Sequence, residues 1–193
     1  LHSTLNANLS GIDVGGTVTA AFGGTGTATF IGNLGEAVVT VGAEATMQAA
    51  ASVVNGKTIN GLGTVAVTGP VGANTDLTDI AAPLSFGTGI VVNSGFTLTL
   101  TAAQAAGKTI TGDGTVNIEG DVDASADLTG IATLLTYDGG NSITVNTGAT
   151  LTLTAAQASG DQINGGGTVA VTALHQTLAA DLSGLTTMAV MAA

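Results

Sequence analysis

The sequence predicts an all-β chain wound as a parallel β-solenoid, or β-helix, and three observations carry that expectation. Segments such as TLTLTA, KTITG, TVNIEG, TVAVT and SITVN alternate Thr or another polar residue with Leu, Ile or Val. A period of two marks short strands with one face buried. The second observation is repetition: TLTLTAAQA at 97–105 is spelled identically at 150–158. The third is composition, with 45% hydrophobic residues, only 3% aromatic and 30 Gly, which favours a layered core of small aliphatic pieces and disfavours long helices.

Taken in order, residues 1–193 form one continuous repeat array. A divergent long repeat covers 8–75, opening on NLSGI and closing on NGKTINGLGTVAVTG at 55–69, which matches AGKTITGDGTVNIEG at 106–120. Regular repeats follow at 76–126 and 127–180, and DLSGLTTMAVMAA at 181–193 starts a further, truncated one, implying a longer parent array. About six strands per 51–54-residue repeat leave little room for connections. The expectation is about two coils per repeat, each of roughly 25 residues and three faces, with like phrases stacked above like. Tandem small antiparallel β-sandwiches are the alternative.

Punctuation between the strands follows from residue chemistry. AAQA after each TLTLT is short for a helix and reads as a corner, with the Gln104 and Gln157 amides bonding each other or capping backbone groups. Asp76, Asp127 and Asp181, with Asn8 in their place in the first copy, read as Asx caps, because a short polar side chain reaches the backbone two residues on. GGTGT at 23–27 and NGGGTV at 164–169 lack the Lys and following helix of a phosphate cradle, so they read as turns. Tyr137, Phe22, Phe30, Phe86 and Phe96 are expected to plug the core or an end.

Charge narrows the partners. The net charge is −11, with Lys57 and Lys108 the only basic side chains besides two His, so nucleic acid is excluded by the absence of a basic patch. Polar residues break every apolar run well short of the roughly 18 residues of a spanning helix, which argues against membrane insertion. Without cysteine there is neither disulfide nor thiol chemistry. His2 and His175 lack matching metal ligands, and no Ser has an acid–His pattern, so no catalytic residue is assigned and the chain reads as a non-enzyme. The densest acidic group is Asp121, Asp123 and Asp127 in GDVDASAD. It reads either as a solvated loop or as a Ca²⁺ site, since Ca²⁺ takes closely spaced hard oxygen ligands. Ca²⁺ is thus the one candidate cofactor.

The pattern TLTLTAAQA, then GxxI.G.GTV, then DLSGI resembles the β-strand repeats of large secreted bacterial surface proteins, of the repetitive adhesin, surface-layer or filament type. Thr97–Gly120 and Thr150–Thr172 carry the resemblance. It implies export to the cell surface and a structural role: a filament, sheath, surface layer or adhesin stalk, with copies of itself or neighbouring repeats as partners. The calcium nonapeptide G-G-x-G-x-D of some such proteins is absent. An alternative reading is a ligand-binding β-solenoid, for ice or polysaccharide, in which T-x-T phrases present a Thr array.

Overall fold

The structure, a computed structural model, describes residues 3–5, 7, 9, 19–176 and 179–191. β1 (Ser3–Leu5) precedes the repeats, and the first, divergent repeat contributes β2 (Thr19–Phe22), β3 (Gly26–Phe30), β4 (Val38–Val41), β5 (Ala45–Ala50), α1 (Ala51–Val54), β6 (Ile59–Gly61) and β7 (Thr64–Thr68), with β8 (Thr75–Asp76) at its junction with the next. The second contributes β9 (Leu84–Ser85), β10 (Ile90–Val91), β11 (Thr97–Leu100), α2 (Ala102–Ala105), β12 (Ile110–Thr111), β13 (Thr115–Ile118) and β14 (Ala126–Asp127). The third contributes β15 (Leu134–Tyr137), β16 (Ser142–Thr144), β17 (Thr150–Thr154), β18 (Gln162–Asn164) and β19 (Thr168–Thr172), and β20 (Met188–Met191) follows.

Every ladder between these strands is parallel, which rules out antiparallel sandwiches and gives a β-solenoid of about eight turns. The alternation of the sequence is realised directly. In β17, Leu151 and Leu153 are fully buried while Thr150, Thr152 and Thr154 are half-buried on the outer face. Inward residues stack in files, such as Leu98–Val116–Leu135 and Leu100–Ile118–Tyr137. Each fully buried Leu contributes roughly 1.5–3 kcal/mol relative to exposure. The files merge into one continuous hydrophobic core from Phe22 to Val171. Phe22 and Phe30 meet edge to face at one end, with ring centroids 6.1 Å apart. Four of the five aromatic residues, Phe22, Phe30, Phe86 and Tyr137, are buried as expected, and Phe96 is half-buried.

The register departs from the sequence expectation in one respect. Leu98 lies 23 residues after its partner Thr75, Val116 lies 18 after Leu98, and Leu135 lies 19 after Val116, about 20 residues a turn, so a 51-residue repeat holds about two and a half turns. The extra half turn moves each repeat to the other side of the solenoid. TLTLT of β11 joins the sheet β8-β11-β13-β15, whereas TLTLT of β17 joins β14-β17-β19-β20. The identical phrases therefore do not stack on one another. Thr99 stands on Asp76 and Thr152 on Asp127, each new repeat growing from the closing corner of the one before. The repeats interleave in consequence: β8 and β9 belong to one turn of chain but to different sheets.

Tight corners make these short turns possible. Gly61, Gly112 and Gly165 recur at one repeat position with φ of +115°, +113° and +113°. A Cβ at each would overlap the carbonyl oxygen of Val41, Val92 and Val145 on the turn beneath, so only glycine lets the backbone pass.

Candidate functional site

One corner, spelled T-A-A-Q at 101–104 and again at 154–157, is built the same way in two repeats. Thr101 caps α2 by accepting from the Gln104 N–H at 3.2 Å, while Gln104 Oε1 accepts from the Thr101 N–H at 2.9 Å, a reciprocal capping box. The same amide then reaches to the turn below, Nε2 donating to the Leu77 and Ile80 carbonyls at 2.7 and 2.9 Å. Gln157 repeats this with Thr154 and with the Leu128 and Ile131 carbonyls, both at 2.8 Å. The two glutamines cap backbone groups, each in its own repeat, and do not bond each other.

The Asx reading also holds. Asp76 Oδ1 accepts from the Thr78 N–H and hydroxyl, Asp127 Oδ1 from those of Thr129, and Asp181 Oδ1 from the Ser183 N–H. The Ser183 bonds hold the Asp181 carboxyl below its usual range. Asn8 lies outside the described residues, as does His2.

Asp121, Asp123 and Asp127 are all exposed. Asp123 Oδ1 accepts from Asn146 Nδ2 at 2.6 Å, and Asp127 is occupied with Thr129. Among the described residues no three His, Cys, Asp or Glu side chains are gathered closely enough to form a metal cluster. His175 is exposed on a single 3₁₀ turn, Leu174–Gln176.

Threonines do face outward in aligned files, but the files are short. Thr27, Thr46 and Thr64 make the longest, and Thr97–Thr115 and Thr150–Thr168 end after two rungs at Leu134 and Met188. Some polar side chains bond between rungs, as Thr29 to Gln48 and Thr136 to Asn117, each at 3.1 Å.

The remaining chemistry lies at one repeat position that sequence reasoning passed over. It is filled by Lys57, Lys108 and Asp161, in NGKTI, AGKTI and SGDQI. Both lysines are half-buried and turn their ammonium groups onto the main chain below: Lys57 Nζ donates to the Gly35 carbonyl at 2.6 Å and Lys108 Nζ to that of Leu84 at 2.8 Å. In the third repeat Asp161 is buried, at 6% exposure, and makes no side-chain hydrogen bond among the described residues. Burial pushes its carboxyl up to about 6. Beside it opens a groove of about 590 Å³ lined by Thr133, Leu135, Asn141, Gln157 and Asp161. The Thr133 and Tyr137 hydroxyls are buried without a hydrogen-bond partner among the described residues. Desolvation raises the Tyr137 phenol well above its usual range, and the Asp161 charge adds to that. The alignment of the three repeats could have shown this charge reversal, because the flanking Gly and Ile keep the register.

Neither a family model, nor a curated protein, nor a solved structure matches this chain.

Proposed function

We propose that the chain is a non-enzymatic structural segment of an exported bacterial surface protein, stacking into a filament, sheath or surface layer or serving as an adhesin stalk. The observation that carries this reading is the interleaving of repeats. Because β11 grows from β8 and β17 from β14, no boundary exists at which one repeat can swing or detach without breaking its neighbour's ladder. A rod without hinges suits load bearing and regular assembly. Acidity, the absence of cysteine and the scarcity of lysine agree with a cell-surface location. No helix among the described residues is long and apolar enough to cross a membrane. The partner implied is a second copy or a neighbouring repeat: β20 pairs with β19 on one side, and its other edge is a template for a further parallel strand.

Electron microscopy of the purified chain, with calcium and again with a chelator, tests the reading. Ordered filaments or sheets are expected. Monodisperse short rods under both conditions would remove self-assembly and leave the stalk. A flexible chain of separate beads would remove the structural reading altogether.

The outward Thr files motivate a second reading, a ligand-binding solenoid for ice or polysaccharide. Three rungs at Thr27, Thr46 and Thr64 are the basis for it. Thermal hysteresis that is lost in Thr46→Val would support it, and its absence from the wild type at millimolar concentration would end it for ice.

A further inference from the structure

We infer that the groove at Asp161 binds one hydrated divalent cation, held by the Asp161 carboxylate and the main-chain carbonyl of Leu135, with water completing its shell. The first two repeats show what this position requires. There a positive charge, Lys57 or Lys108, lies on a main-chain carbonyl of the turn below, Gly35 or Leu84. The third repeat keeps the groove and the carbonyl-bearing strand, since Leu135 stands where Leu84 stood, but replaces the ammonium with a carboxylate. A carboxylate cannot bond a carbonyl oxygen directly; both are acceptors. A cation between them restores the bridge.

The charge identifies the class. Lysine places +1 at this position, and an Asp161 carboxylate joined to a divalent ion also places +1 there. Oxygen-only donors of this kind select hard ions such as Ca²⁺ and Mg²⁺. The groove is wide enough for the ion to keep several waters.

The test uses the whole chain stripped with a chelator and titrated at pH 7.5 with Ca²⁺ and, separately, Mg²⁺, following the unfolding midpoint. A saturable rise in the midpoint is expected for the wild type and none for Asp161→Asn. Asp161→Lys, which copies Lys108, is expected to hold the raised midpoint without any added ion and to ignore titration. Carboxyl NMR supplies an independent readout, the Asp161 titration moving downward when Ca²⁺ is present. A cation response that survives in Asp161→Asn, or one abolished instead by Asp121→Asn with Asp123→Asn, would overturn the assignment. So would a wild type whose midpoint neither ion moves.

Discussion

Gln104 Nε2 donates to the Leu77 carbonyl at 2.7 Å, tying the corner after β11 to the turn beneath it. The same nitrogen reaches the Ile80 carbonyl at 2.9 Å, so truncating this side chain removes both of these bonds and one capping interaction, although the Leu77 carbonyl still accepts from the Ile80 N–H. Gln104→Ala is expected to lower stability by roughly 2 kcal/mol in urea unfolding, since an unmade buried bond costs about 1–3 kcal/mol. Gln104→Glu keeps the acceptor but loses the donor, and should fall near the alanine variant. A glutamate variant as stable as the wild type would show that the carbonyl bonds contribute nothing. Gln162→Ala, on an exposed side chain, should change stability by less than about 0.5 kcal/mol.

The reach of Gln104 also shows what the sequence concealed. Strand identity and facing were legible, because Thr–Leu alternation maps directly onto outward and inward positions in β11 and β17. What alternation cannot reveal is how many residues complete a turn, for that depends on where the corners bend. The turns that contain Gly61, Gly112 and Gly165, from Met47 to Val65, Leu98 to Val116 and Leu151 to Val169, are each only 18 residues long. Counting from identical phrase to identical phrase therefore overlooked the half turn and placed TLTLT upon TLTLT.

Gly112 supplies a direct check of that geometry. Its φ of +113° and the Val92 carbonyl pressed against it leave no room for a methyl group, whereas Gly107 has φ of +66° and open space around its Cα. Gly112→Ala must displace backbone as well as adopt a strained conformation, and a loss of roughly 3 kcal/mol or more is expected. Gly107→Ala meets only the conformational cost, about 1–2 kcal/mol. Denaturant midpoints for the pair decide it: equal losses would mean that the turns do not touch at this corner.

Tyr137 occupies the place of Phe86 one repeat earlier, and its hydroxyl is buried with no partner among the described residues. Tyr137→Phe removes a desolvated polar group and keeps the ring in the file with Ile118 and Leu100. Stability should rise by about 1 kcal/mol, because the unmet group carries a penalty that Phe lacks. A decrease would indicate that the hydroxyl is bonded in solution, through water or toward Asp161. Leu98→Ala, in the adjoining file, serves as the contrast and should cost roughly 2–5 kcal/mol.

The candidate site was half legible. Asp121, Asp123 and Asp127 drew attention because they are adjacent in sequence, yet the fold commits Asp123 to Asn146 and Asp127 to Thr129. Asp161 stands alone in sequence and acquires its character only through burial against the turn that carries Thr133 and Leu135. Local crowding of acids can be seen in a string of letters; desolvation of a single acid by a neighbouring turn cannot.

That desolvation gives a pH dependence whose sign can be worked out. Burial raises the Asp161 carboxyl from 3.8 to about 6, so between these values the folded chain holds a proton that the unfolded chain has released. Stability tied to Asp161 is then greatest below about pH 4, falls as pH rises toward 6, and levels off above it. Asp161→Asn carries no such proton and should lack this component. The measurement is the difference in unfolding free energy between wild type and Asp161→Asn at several pH values from 4 to 7, in chelator, where contributions from the other carboxylates cancel. The wild type should lose ground to the variant as pH rises. If it gained ground instead, the ionised carboxylate would be the form the fold favours, and burial could not be the dominant influence on it. Adding Ca²⁺ should oppose this loss and raise the wild type relative to the variant above pH 6, because the ion binds the carboxylate and competes with its proton.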